Sequence, residues 1–175
     1  MENREIERKW LASSLPNIKY DKVMDILNYY IYKTDNKTDN YDIRLRKTCT
    51  RNPFPAQQHE YFLTCKSSDS TINRIEIEEP ITKSVYKILR QLPAKFVNKT
   101  RYFYGDWSFD VFKRYCMEGV ILQDRLIIVE HEMKTEDAEV IIPKEIQKVL
   151  NVEVTGNKNY YNYYMSITQK DEKES

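Results

Sequence analysis

The chain has 175 residues, 28 basic and 27 acidic side chains, and a formal net charge of +1. That length suits one domain with a sizeable core, and the near-even charge balance excludes a protein whose main work is to coat nucleic acid or an anionic membrane. Its three glycines, Gly105, Gly119 and Gly156, are too few and too scattered for a Gly-rich phosphate loop or a dinucleotide fingerprint.

The start, Met1-Glu2-Asn3-Arg4-Glu5, is charged and lacks an apolar signal region behind it. Strand-like segments rich in Ile, Val, Tyr, Phe and Thr follow at 4–11, 27–34, 41–48 and 60–66, with a polar turn at 35–40. Another strand is expected at 72–79. Next comes a helix that Thr82 can cap and Pro93 stops, with Val85, Ile88, Leu89 and Leu92 on one face. Strands at 97–104 and 107–113 flank a hairpin loop at Tyr104-Gly105-Asp106, and a further strand is expected at 126–134. A short helix is expected at 144–150 after Pro143, and a Tyr-rich helix at 160–168. The chain reads as one domain over 1–169, with a polar tail at 170–175.

Cys49, Cys65 and Cys116 are odd in number and lack metal-clip spacing, so they read as reduced thiols of an intracellular protein. The longest clean aliphatic run, 126–129, is far too short for a bilayer. A cytoplasmic location without membrane contact is the expectation.

Side chains two apart share a face of a strand. On that rule Glu5, Glu7 and Lys9 lie together, as do Arg44 and Arg46, Glu76 and Glu78, Lys99 and Arg101, and Glu130 and Glu132. Lys66 ends one strand, and Asp110 stands opposite Phe109 and Val111. A merely solvated face would mix signs, whereas these pairs are of like sign and repel. About eight strands are enough to close a barrel. If the charged faces point inward, the interior cannot be a dry core, because unpaired buried charges are costly. It must be wet and filled by something that satisfies both signs. A polyphosphate with a divalent metal does so: carboxylates suit Mg²⁺ or Mn²⁺, and Arg and Lys suit phosphoryl oxygens.

Glu5-Ile6-Glu7-Arg8-Lys9 resembles the Glu-x-Glu-x-Lys signature of the CYTH superfamily, the triphosphate tunnel metalloenzymes, which includes class IV adenylate cyclases and thiamine triphosphatases. The likeness continues in order through Arg44-Leu45-Arg46, Leu63-Thr64-Cys65-Lys66, Arg74-Ile75-Glu76-Ile77-Glu78, Lys99-Thr100-Arg101-Tyr102, Asp110-Val111-Phe112 and Val129-Glu130-His131-Glu132. The closing segment, Gly156-Asn157-Lys158-Asn159-Tyr160, departs from the usual Gly-Asp followed by a basic residue and Tyr, although Lys158 keeps a basic group there.

The resemblance implies an α+β fold: an eight-stranded antiparallel β-barrel with helices packed outside, carboxylates on one side of the tunnel and bases on the other. It implies Glu5, Glu7, Glu130 and Glu132 as ligands of Mg²⁺ or Mn²⁺. Lys9, Arg44, Arg46, Lys66, Lys99, Arg101 and Lys158 would bind the triphosphate. Glu76, Glu78 and Asp110 are second choices as ligands, acting on a second metal or through waters, and one of them would accept a proton from the attacking water. The expected activity is metal-dependent triphosphate hydrolysis, with inorganic tripolyphosphate favoured over nucleoside triphosphates. Two alternatives stand beside it: a class IV adenylate cyclase making cyclic AMP and pyrophosphate from ATP, and a non-catalytic module binding a triphosphate nucleotide or a 5′-triphosphate RNA end. The expected partner is a small-molecule triphosphate, nucleic acid entering only as such an end, and the chain is either a monomer or a homodimer.

Overall fold

Alternation of charged and apolar residues drives most of this chain into antiparallel strands. The computed structural model describes residues 4–34, 41–51, 58–68 and 73–168. The strands are β1 (Arg4–Ala12), β2 (Lys22–Lys33), β3 (Tyr41–Thr50), β4 (His59–Ser68) and β5 (Asn73–Pro80), then β6 (Lys95–Tyr104), β7 (Trp107–Phe112), β8 (Tyr115–Met117), β9 (Val120–Leu122), β10 (Leu126–Glu132), β11 (Leu150–Glu153) and β12 (Ile167–Thr168). Helices α1 (Lys83–Leu89) and α2 (Lys144–Gln147) are short. Among the described residues no helix is long and apolar enough to cross a membrane. The expected turn at 35–40, the start of the strand at 72 and the tail at 170–175 lie outside the described residues.

The main sheet runs β10-β7-β6-β2-β3-β4-β5-β1, and β1 also pairs with β10. Each of these eight strands therefore has antiparallel neighbours on both sides. β1 meets β5 through Arg4↔Ile75 and Glu5↔Arg74, and meets β10 through Glu7↔Glu132 and Lys9↔Glu130. Small strands are appended, β11 to β1 and β12 to β6, while β8 and β9 form a separate two-stranded sheet. The β6–β7 turn uses Gly105 at φ +53°, and the β8–β9 turn places Glu118 at φ +50° and Gly119 at φ +83°. Two-residue hairpin loops need such positive φ, which glycine adopts without steric cost.

The two faces of the sheet bury different things. On the outer face Trp107, Phe109, Val111, Ile127 and Val129 pack with Trp10 and with Ile146 of α2. A second outer cluster joins Tyr29, Leu45 and Phe96 to Tyr86 of α1 and Ile167 of β12. The inner face is polar along part of its length. It turns apolar two residues further along several strands, where Tyr30, Phe112 and Ile128 meet Met165, with Leu11 packed against them.

Helix α1 begins as the sequence predicts. Val85 N–H donates to Thr82 Oγ1 at 3.2 Å, satisfying one of the open amides of the first turn. Of the expected apolar face only Leu89 packs against the sheet. Tyr86 is 5% exposed, whereas Val85, Ile88 and Leu92 are 42%, 66% and 46% exposed. The sheet beneath is rich in rings, and Tyr86 packs against Tyr61 in a tilted pair with ring centroids 4.8 Å apart, so the aromatic side chain takes the inward position. The segment expected as a helix at 160–168 is instead a 3-10 turn (Lys158–Tyr160), further turns and strand β12. Its backbone is drawn to β6 and to Cys116, whose N–H donates to Met165 O at 2.8 Å. The β8–β9 hairpin was not expected, because its strands are only three residues each.

Candidate active site

The polar inner face surrounds a cavity of about 420 Å³. Lys9, Arg44, Arg46, Lys66, Lys99 and Arg101, all expected to bind phosphate, line it. So do Glu7, Glu76, Glu78, Glu130 and Glu132. The local reason is alternation: on β3 the residues Arg44 and Arg46 face in while Leu45, fully buried, faces the outer cluster.

The charges form two groups. On β3, β4 and β5, Arg44 Nη2 bonds Glu76 Oε1 at 2.8 Å, Lys66 Nζ lies 3.1 Å from Glu76 Oε2, and Arg46 Nη1 lies 2.7 Å from Glu78 Oε2. Thr64 Oγ1 donates to Glu78 at 2.8 Å, and Arg46 Nε to Asn28 Oδ1 at 3.3 Å. On β1, β6, β7 and β10, Lys9 Nζ lies 2.9 Å from Glu7 Oε1 and also bonds Glu130. Arg101 makes a two-pronged bond to Asp110 at 2.7 Å in each arm and reaches Glu130 as well. Lys99 bonds Asp110.

This differs from the expected division into an acidic side and a basic side. Acids and bases alternate on both walls, since charges withdrawn from water stay ionised only when paired. Burial would raise the Glu130 carboxyl, but Lys9, Arg101 and Lys99 together hold it well below the ordinary carboxylate range. Burial, reinforced by Arg101, pushes the Lys99 ammonium down to about 8 against the pull of Asp110 and Glu130. Burial and the neighbouring Arg44 also lower Arg46 from its ordinary value.

Two expected residues are placed elsewhere. Asp110, expected beside the attacking water, is 1% exposed and enclosed by Lys99 and Arg101, and is not a lining residue of the cavity. It lies too deep, because the neighbouring cations fold over its carboxylate. Lys158, expected on the phosphates, stands exposed on the 3-10 turn and does not line the cavity. That turn is short and polar, and nothing pulls its lysine inward. The Glu5 side chain lies outside the described residues. Sequence reasoning missed Lys22, Lys33, Asp42 and Glu60, which also line the cavity, and Tyr161, Asn162, Tyr163 and Tyr164, which border it. The tyrosine-rich composition of that last segment was a signal, but it pointed equally to an outer helix.

A divalent cation fits this site in the chemistry of its donors: Glu7, Glu130 and Glu132 offer carboxylate oxygens to one cavity. Among the described residues no three acidic, His or Cys side chains are drawn together closely enough to hold an ion as they stand. Instead the Lys9 ammonium sits against Glu7 and Glu130.

Among solved structures the chain matches two of NE1496, one described as a hypothetical protein and one as an inorganic triphosphatase. Identities are 27% and 28% and TM-scores 0.53 and 0.52. The matches cover 91% of this chain, and 95% and 91% of the respective relatives. The chain is similar in structure to the inorganic triphosphatase NE1496. That likeness is CYTH-like and spans nearly the whole chain, as do the ordered motifs from Glu5 to Tyr160. PH1819 protein from Pyrococcus horikoshii OT3 matches more loosely, with 20% identity, a TM-score of 0.49, and 76% and 80% of the two chains covered. No protein-family model and no curated protein matches.

Proposed function

We propose that this protein is a divalent-metal-dependent triphosphate hydrolase acting in the bore of a closed eight-stranded β-barrel, with inorganic tripolyphosphate as its favoured substrate. One observation carries the proposal: eight cationic side chains, six glutamates and Asp42 line one cavity. The cyclic pairing through β1 supports closure, and the likeness to an inorganic triphosphatase supports the substrate class.

Arg44, Arg46 and Lys66 take the phosphate oxygens. Their present partners are Glu76 and Glu78. Arginine's planar fork matches a phosphoryl group in two bonds. Arg101 and Lys99 stabilise charge that grows on the leaving oxygens. Glu78, whose side chain is 28% exposed, accepts the proton of the attacking water. Glu7, Glu130 and Glu132, together with Glu5 of the same sequence motif, would hold Mg²⁺ or Mn²⁺, which when bound supplies positive charge that polarises phosphoryl oxygens. Enclosure within the cavity limits bulk water and strengthens each of these contacts.

The test is phosphate release from tripolyphosphate, ATP and thiamine triphosphate with Mg²⁺ or Mn²⁺, with the products identified. Release of orthophosphate, fastest from tripolyphosphate, is the expected result. Cyclic AMP with pyrophosphate from ATP, or tight binding without turnover, overturns it.

A further inference from the structure

On the β1–β10 side of the cavity the cations are held in different ways. Arg101 and Lys99 are both anchored by Asp110, which lies behind the lining. Lys9 is held by Glu7 and Glu130, both of which line the cavity. Its side chain is 7% exposed, so the ammonium is a buried charge that requires these carboxylates.

We infer that Lys9 is a resident counter-ion: it neutralises Glu7 and Glu130 until a divalent cation claims them, and its released ammonium then serves the phosphate chain. The inference rests on the hydrolase reading above and adds to it a coupling between the two ligands. The geometry requires an exchange. A small divalent ion sits roughly 2.1 Å from carboxylate oxygens, and Lys9 Nζ already stands 2.9 Å from the Glu7 oxygen. The ion and the ammonium would occupy nearly the same volume and repel as like charges. Lysine can move without unfolding its strand, because its point charge rides on a flexible four-carbon stem. The β1 backbone stays fixed through the Lys9 N–H bond to Thr155 Oγ1 at 3.0 Å and the register of Lys9 with Glu130. A triphosphate that draws the ammonium away makes both carboxylates available, so anion and cation raise each other's affinity by the same factor.

The test compares the wild type with Lys9→Met. Mn²⁺ binding is measured by electron paramagnetic resonance without any anion, and tripolyphosphate binding is measured by calorimetry in chelator. The variant should bind Mn²⁺ about tenfold tighter or more and tripolyphosphate more weakly. A merely structural lysine would weaken both. Mn²⁺ affinity that is unchanged or lower in a folded Lys9→Met protein overturns the inference and leaves the hydrolase reading intact. Failure of the wild type to bind either ligand removes both. Should the variant not fold, the ¹⁵N ammonium signal of Lys9 in the wild type decides: Mg²⁺ alone should shift it, and an unmoved signal under saturating Mg²⁺ overturns the inference.

Discussion

The two walls of the cavity carry the same kinds of side chain and differ in depth. On the β3–β5 wall Arg44, Arg46 and Lys66 stand among Asp42, Glu60, Glu76 and Glu78, and the Arg46 and Glu78 side chains are 23% and 28% exposed. On the wall made by β1, β6, β7 and β10, Lys9, Lys99 and Arg101 stand among Glu7, Asp110, Glu130 and Glu132, and Asp110 is 1% exposed. A buried cluster behaves as part of the folded core, because removing one member strands the others. A wetter cluster suits an incoming anion, because its cations can turn from their carboxylate partners to phosphoryl oxygens. The deep wall also presents the carboxylates Glu7, Glu130 and Glu132 to which the proposed function gives the hard cation.

Glu130→Gln should have the largest effect, because Glu130 accepts both Lys9 and Arg101. Breaking that network should cost about 3–5 kcal/mol of stability, read by urea unfolding, and activity should lose its dependence on added metal. A variant as stable as the wild type with normal metal dependence would break the comparison.

Arg46→Ala comes next. It removes a half-open cation from the wetter wall and should raise KM for tripolyphosphate about tenfold to a hundredfold, with metal affinity and stability little changed. If it unfolds the protein as Glu130→Gln does and leaves KM alone, the walls are not functionally distinct.

The smallest effect concerns pH. The Lys99 value is lowered from 10.5 to about 8 by burial and Arg101. The folded chain therefore sheds this proton first. Its charge is present below about pH 8 and costs stability there, and the stability contribution rises as pH climbs toward the unfolded value. Anion affinity moves the opposite way. Calorimetric titration of tripolyphosphate in chelator should show binding weaken about threefold between roughly pH 7 and 9 relative to Lys99→Arg, whose guanidinium keeps its charge. Parallel pH profiles for the two proteins would show that Lys99 does not sense the ligand.

Much of the fold and site was legible in one dimension. The expected strands at 41–48 and 107–113 correspond to β3 (Tyr41–Thr50) and β7 (Trp107–Phe112), and Thr82 caps α1 as expected. Inward and outward positions followed from period two, which is why Arg44, Arg46, Glu76, Glu78, Glu130 and Glu132 reach one cavity. The inward face of α1 was not legible. Val85, Ile88, Leu89 and Leu92 form a regular apolar stripe, yet of these only Leu89 packs inward, and Tyr86 is buried because aromatic partners wait on the sheet beneath it. Nor was the end of the chain, where tyrosines suit a helix or a strand equally well and pairing with β6 decides.

The sequence by itself determined the alternation of charge, and with it the set of ionised side chains that share the inner face, because the direction of a side chain on a strand depends only on its own neighbours in the chain. Tertiary structure alone decided which acid meets which base. Asp110 is withdrawn behind Lys99 and Arg101, Lys9 lies between Glu7 and Glu130, and Lys158 stands outside. Those outcomes depend on strands far apart in sequence lying side by side, and on the need of each buried charge for a partner within reach.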